Sequence, residues 1–406
     1  MEQTWRWFGP DDPVSLDHIR QAGATGIVTA LHEKAAGEEW SQVEILARKA
    51  LIERQAPGRT PLRWSMVESV PVHDDIKVQA PGFELYVAAY CRTLRNLAAC
   101  GIDRVCYNFM PLIDWTRTDL SYQLPSGAAA LRFDADLFAA FDLFILARED
   151  AEAEYTPEQL ARAEKTLAGL DESQRRKLTA NIIAGLPGRA TEAHTLDGFR
   201  SALERYEQVS PERLRQNLLD FLNQVVPVAA EVGIRLAIHP DDPPRPLLGL
   251  PRVVSCAEDL RVLFKAVDHP CNGLTLCVGT FGVRADNDLT SMAYEFGPRI
   301  HFAHLRGIKR EADGLSFYEG EHLASDADMV AIVQALLEEE TRRLAEGRKD
   351  CSIPIRPDHG HQMLDDLDKA VNPGYSAIGR LKGLAEIRGV ITALSYKRNP
   401  RQNSGT

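Results

Sequence analysis

Residues 233–241 read Gly-Ile-Arg-Leu-Ala-Ile-His-Pro-Asp. The stretch is short, mostly apolar and closed by polar groups, the pattern of a buried parallel strand opening into a loop. Within it Leu236 and Ile238 share one face, while Ala237, His239 and Asp241 share the other. Side chains alternate along a strand, so if the bulky pair packs against covering helices, His239 faces inward.

Seven other runs have the same character: Thr4–Phe8, Thr25–Leu31, Arg63–Val72, Arg104–Met110, Leu274–Phe281, Arg299–Arg306 and Ser352–Asp358. Amphipathic helical patterns fill most of the gaps, among them Leu16–Ala22, Ser41–Arg54, Gly82–Ala99, Ala257–Ala266 and Asp326–Glu346. The second unit is loosely marked, because Lys34–Glu39 is polar throughout. Eight strands alternating with helices are the arithmetic of a TIM (β/α)₈ barrel, with the N-terminal strand closing the ring.

One connection breaks the rhythm. About 120 residues separate Met110 from Gly233, far more than a crossover helix needs. The sequence predicts a charged, mostly helical insertion after the fourth strand, about 115–208. Thr156-Pro157-Glu158-Gln159 is a capping box that should start a helix, and Ser210-Pro211 should start another running to about Glu231. The insertion's place at the catalytic face suits a lid or rim. It suits an oligomer contact or a solvated elaboration equally well, and a homodimer stays open. The chain of 406 residues is thus read as a barrel over 1–396 with a polar tail at 397–406.

Composition narrows the partners. Hydrophobic residues make up 44% and charged residues 26%, which excludes disordered, collagen-like and coiled-coil classes. Asp+Glu outnumber Lys+Arg by 58 to 47, a net charge of −11, so no nucleic-acid partner is expected. No run approaches the roughly 20 apolar residues that span a bilayer, so no membrane is expected either. The start, MEQTWRWFGPDDP, lacks the basic and apolar regions of a signal peptide. The seven cysteines are scattered without a CxxC pair. Free thiols in a reducing, cytoplasmic setting are the expectation.

Barrel enzymes place their chemistry at the C-terminal ends of the strands. There alternation turns Cys277 inward, opposite Leu274, Leu276 and Val278, and turns Asp358 inward, opposite Ile353 and Ile355. The run Ile300–Arg306 is ambiguous between His301 and His304, and His304 is favoured as nearer the mouth. His239, Cys277, His304 and Asp358 then come from four successive strands and face one axis. A lone buried Cys or strand His is usually a packed core residue. Four converging donors of these types suit a divalent transition metal, although the mixed set does not say which. Asn108 and Asp241 crowd the same mouth. Arg284 and Arg306 could clamp a carboxylate with paired donors, unless each is an ordinary surface ion pair. Tyr375, in a glycine-containing loop, could serve as acid or base.

Several blocks carry a resemblance: TWRWFGPDDPVSL (4–16), QAGATGIVTALH (21–32), VESVPVH (67–73), CYNFMPLIDWTRTDL (106–120), HPDDPPRPLLGLPR (239–252), FGVRADNDL (281–289), RPDHGHQMLDDL (356–367) and NPGYSAIGRLKGLAE (372–386). With NIIAGLPG (181–188) and TLDGFR (195–200), the chain resembles the mannonate dehydratase family from about residue 1 to 390. The resemblance implies a xylose isomerase-like TIM barrel and a hydro-lyase that dehydrates D-mannonate to 2-dehydro-3-deoxy-D-gluconate in hexuronate breakdown. It implies Mn²⁺ or Fe²⁺ as cofactor and places the family's metal ligands on the same four residues, His239, Cys277, His304 and Asp358. It implies an acid/base pair at His359 and Tyr375, and leaves open which is which.

Three other functions compete. An aldose–ketose isomerase on a similar barrel would be richer in carboxylate ligands, so the cysteine counts against it. A metal-dependent nuclease sits poorly with the net charge of −11. A sugar-acid binding protein without turnover has little use for a His–Tyr pair beside a metal.

Overall fold

The computed structural model describes residues 1–55, 57–183 and 195–398, with side chains to 396. Twelve strands are found among them: β1 Glu2–Arg6, β2 Gly26–Thr29, β3 Arg63–Glu68, β4 Arg104–Tyr107, β5 Asp119–Gln123, β6 Ala129–Phe133, β7 Arg235–Ile238, β8 Asn272–Cys277, β9 Ile300–His304, β10 Ile308–Arg310, β11 Phe317–Glu319 and β12 Pro354–Arg356. Eight of them close a barrel in the order β1-β12-β9-β8-β7-β4-β3-β2. All its pairings are parallel, as β1 against β12 and β4 against β7 illustrate. These eight strands are the runs expected from sequence. Each ends earlier than its apolar run, because the last residues of the run leave the ladder to build the mouth.

Local chemistry sets the helices. Ser41, Thr156 and Ser210 each cap a helix by accepting from the backbone N–H three residues on, worth about 1 kcal/mol apiece. Thr156 and Gln159 complete the expected capping box, and Pro211 opens the helix Pro211–Val232. Inside the barrel Val28, Met66, Cys106, Ala237 and Phe302 form their own buried cluster, separate from the larger core between strands and helices. That cluster fixes which face of each strand points inward.

The insertion departs from the expectation of a mostly helical segment. It begins with β5 and β6, an antiparallel pair, before the helices Pro157–Ala168, Glu172–Ile183 and Leu196–Glu204. Both strands join β11 and β10 in a second sheet, ordered β10-β11-β6-β5. The hairpin turn around Pro125-Ser126-Gly127, where Gly127 N–H donates to Leu124 O at 2.9 Å, was the signal for it. The C-terminal helix is described to Arg398; the remainder of the polar tail, and residues 184–188 of the NIIAGLPG block, lie outside the described residues.

Candidate active site

The C-terminal ends of the barrel strands surround a cavity of about 270 Å³. His239, Asn108, Arg306, Asp358, His359 and Tyr375 line it from the barrel, and Phe199 and Tyr206 from the last part of the insertion. His304 and Cys277 are fully buried and stand behind that lining.

The inner cluster explains their orientation. Ala237 and Phe302 belong to it, and His239 and His304 follow them by two residues, so both imidazoles keep the inward side. His301 takes the opposite face, where its Nε2 donates to Pro270 O at 2.9 Å. Cys277 is the last residue of β8. The ligand atoms of His239, Cys277 and His304 lie within 4.8 Å of one another. Asp358 stands two residues past the end of β12, and its Oδ2 is 3.8 Å from Cys277 Sγ and 3.9 Å from His304 Nδ1. Asp358 has a φ of 66°, the kind of backbone strain that gathers at functional sites.

These donors fit a metal ion. His239 Nδ1 lies 2.7 Å from Pro240 O, which can only accept, so Nδ1 carries the proton and Nε2 keeps its lone pair. Burial pushes the pKa of His239 down, keeping the ring neutral against the pull of Glu68 and Asp242. His304 Nε2 is buried with no hydrogen-bond partner among the described residues. Glu68 Oε1, at 3.6 Å, is too far to supply one. An imidazole nitrogen without a partner, grouped with a second imidazole and a thiol, is a donor set that suits a divalent transition metal.

Around this centre runs a buried belt of alternating charge. Arg117 holds Asp242 at 2.9 Å and Glu319 at 3.1 Å. Arg306 reaches Asp242 at 3.1 Å, Glu319 at 3.4 Å and Asp358 at 3.6 Å. Arg356 pairs with Asp358 and with Glu68 at 2.9 Å, and Arg6 meets Glu68 at 3.0 Å. Burial alone would raise the carboxyl pKa values, but the guanidinium groups hold Glu68 and Asp358 well below the usual range and lower Glu319 as well. The four buried carboxylates Glu68, Asp242, Glu319 and Asp358 therefore stay ionised against the guanidiniums beside them. Gly279 makes room for one of them, since a Cβ there would lie 2.0 Å from Arg306 Nε.

The other half of the cavity holds His359 and Tyr375, the expected acid/base pair. His359 Nε2 and the Tyr375 hydroxyl are 3.2 Å apart, with the rings edge-on at 4.9 Å. On its far side His359 Nδ1 faces Glu319 Oε1 at 3.0 Å and Arg306 Nη1 at 3.1 Å. The loop carrying Tyr375 passes close because residue 374 is glycine: its φ is 78°, and a Cβ would meet the His359 ring at 3.3 Å. Burial pushes the Tyr375 hydroxyl up to about 12 despite Arg356 nearby, so the phenol keeps its proton at neutral pH.

Two expected substrate contacts are placed elsewhere. Arg284 makes a bidentate pair with Asp286 of its own loop, at 3.0 and 2.6 Å, and does not line the cavity. The helical turn Val278–Gly282 carries the chain away from the axis before Arg284 is reached. Asp241 Oδ2 accepts from the N–H groups of Val253 and Val254 and from the Ser255 hydroxyl, which closes the loop after β7. Alternation misassigned it because β7 ends at Ile238, and the inward carboxylate is its neighbour Asp242. Asn108 and Arg306 do line the cavity. Sequence reasoning missed Asp242 and Glu319. Glu319 was signalled only by the Asp313-Gly314 turn of a hairpin, where Gly314 N–H donates to Glu311 O at 3.0 Å.

With this geometry in place, comparison with known proteins is specific. Residues 1–401 match the family model described as D-mannonate dehydratase (UxuA). The mannonate dehydratase of Chromohalobacter salexigens is 58% identical over 394 residues, 97% of this chain and 99% of that protein. That of a Marinomonas species is 55% identical over 390 residues, covering 96% and 98%. Among solved structures, the mannonate dehydratase of Streptococcus suis serotype 2 superposes with a TM-score of 0.76 at 31% identity, covering 98% of this chain and 95% of that one.

Proposed function

The chain belongs to the D-mannonate dehydratase family, and from that premise we propose that it is a hydro-lyase removing water from D-mannonate to give 2-dehydro-3-deoxy-D-gluconate. The observation that carries the reading is one cavity with a His–Tyr pair 3.2 Å apart beside three metal-type donors within 4.8 Å of one another.

The reaction breaks C2–H and C3–OH. The C2 proton is barely acidic because the neighbouring carboxylate is already negative, and hydroxide leaves poorly unless protonated. His239, Cys277, His304 and Asp358 would hold Mn²⁺ or Fe²⁺. When bound, such an ion supplies Lewis acidity to the carboxylate end of the substrate, where charge builds in the transition state. His359 is the base: its Nε2 takes the C2 proton. Tyr375 is the acid: its phenol gives a proton to the departing C3 hydroxyl. Passing the proton from His359 Nε2 to the tyrosinate across their short contact resets both groups. Protonation of the released enol at C3 gives the 2-keto acid. Arg306 and Asn108, both at the cavity wall, orient the sugar acid.

The test is to incubate the protein with D-mannonate and Mn²⁺ in D₂O. The expected product has lost one water and carries one solvent deuterium at C3. A product of unchanged mass would mean isomerisation and end this reading. A second expected result concerns the thiol. Cys277→Ser should weaken metal affinity measured by calorimetry, because an alcohol is rarely ionised and binds such ions more poorly. Unchanged affinity would return Cys277 to the role of a core residue.

A further inference from the structure

The group behind His359 comes from outside the barrel strands. Glu319 ends β11, and β11 pairs with β6 of the insertion, Phe317 opposite Phe133 and Tyr318 opposite Arg132. The Phe133 and Phe317 rings stack at 5.6 Å, and Arg132 clamps Glu311 of the adjoining hairpin at 2.6 and 2.8 Å. Arg117, at the other end of the same sheet segment, donates to Glu319 Oε1 at 3.1 Å. The insertion therefore fixes this carboxylate in two ways, through strand pairing and through a buried guanidinium.

Two neighbours compete for His359 Nδ1. Glu319 Oε1 at 3.0 Å can only accept, and Arg306 Nη1 at 3.1 Å can only donate. A lone pair on Nδ1 would face a full carboxylate charge with no hydrogen between them. A proton on Nδ1 meets that carboxylate in a charge-assisted bond, and Arg306 has other acceptors, its Nη2 donating to Asp242 at 3.1 Å and Thr280 at 2.9 Å. The balance favours the proton on Nδ1.

We infer that Glu319 is a positioning residue: it holds His359 in the Nδ1–H tautomer, so that an unprotonated Nε2 faces Tyr375 and the substrate, and the insertion's strands hold Glu319. This deepens the dehydratase reading and rests on it. The insertion then contributes to turnover from behind the base as well as at the cavity rim. In a carboxylate–imidazole pair elsewhere, disturbing the tautomer costs orders of magnitude in turnover with the geometry intact.

The experiment is a double-mutant cycle on the metal-loaded enzyme with E319Q, H359N and the combined variant. E319Q keeps the side-chain volume. It is expected to lower kcat by about 10²–10⁴-fold with KM nearly unchanged, because the loss falls on proton transfer. In the H359N background the same change should cost nothing further, since Glu319 acts through His359. Wild-type kcat in E319Q, or a full additional loss in the double variant, would overturn the inference. A loss confined to KM would point to Arg306 and the substrate instead, and would also overturn it. A readout independent of turnover guards against an unfolded variant. In wild-type protein loaded with diamagnetic Zn²⁺, the ring-nitrogen NMR shifts of His359, assigned by their loss in H359N, should show Nδ1 protonated and Nε2 bare. The opposite tautomer refutes the role of Glu319. Failure of the dehydratase reading is a separate result, seen when wild-type protein makes no keto-deoxy acid while the shifts still report the tautomer.

Discussion

Tyr375→Phe is expected to fold, bind metal and lose about 10²–10⁴-fold in turnover, the usual weight of a positioned acid or base. The substitution is clean because the ring does the packing and the hydroxyl does the chemistry. Tyr375 is buried, edge-on to Phe8 at 4.8 Å and to His359 at 4.9 Å, and a phenylalanine ring keeps both contacts. The backbone contact from Arg380 Nη2 to Tyr375 O, 2.6 Å, does not involve the side chain. What disappears is a phenol that holds its proton to about 12. That is a poor base at neutral pH but a competent donor to a leaving hydroxide. His359→Asn should fall in the same range for the complementary reason, the loss of the proton acceptor. Steady-state kcat with metal content measured on the same samples checks both. Wild-type kcat in a metal-loaded Tyr375→Phe sample rules the phenol out as the acid.

The sequence made most of this legible because parallel barrel strands are short apolar runs, and because alternation holds while a strand lasts. His239 is placed by counting two residues on from Ala237, whereas His304 is preferred to His301 only as nearer the mouth; the structure puts both Ala237 and Phe302 in the inner cluster. The same counting failed at Asp241. Pro240 and the end of β7 stop the alternation, and the turned chain presents Asp242 to the cavity instead. Arg284 failed for a related reason: loop residues answer to their nearest partner, here Asp286, and no periodicity governs them. Glu319 was hidden more deeply. β10 and β11 have three residues each, too few for a period to register. Their partner β6 lies far upstream in a segment whose charge and helix caps masked two strands. The Asp313-Gly314 turn marks a hairpin, but pairing across such a distance leaves no local trace of which strand β11 joins, so the carboxylate that touches His359 could not be told from a surface glutamate.

Removing divalent metal is expected to abolish turnover, with Mn²⁺ or Fe²⁺ restoring it. The cavity's own charges explain why its residues alone do not suffice. Asp358 is already paired with Arg356 and faces Arg306, and each of these guanidiniums is shared with another carboxylate of the belt. The belt is balanced, so it offers little net positive charge to a substrate carbanion. His239, His304 and Cys277, with ligand atoms within 4.8 Å of one another, are the part of the site suited to add that positive charge by holding an ion. Binding should also be visible without catalysis. An ion that binds only the folded chain, at one hundred times its Kd, stabilises it by about 2.7 kcal/mol. Thermal unfolding should therefore shift upward when Mn²⁺ is added to stripped protein. His239→Ala should lose both the shift and the turnover, since the inward lone pair on Nε2 is gone while the variant removes no charge from the belt. Full turnover after exhaustive chelation, or an undiminished Mn²⁺ shift in His239→Ala, would place the metal elsewhere or nowhere, and the four strand-end donors would have to be read as core.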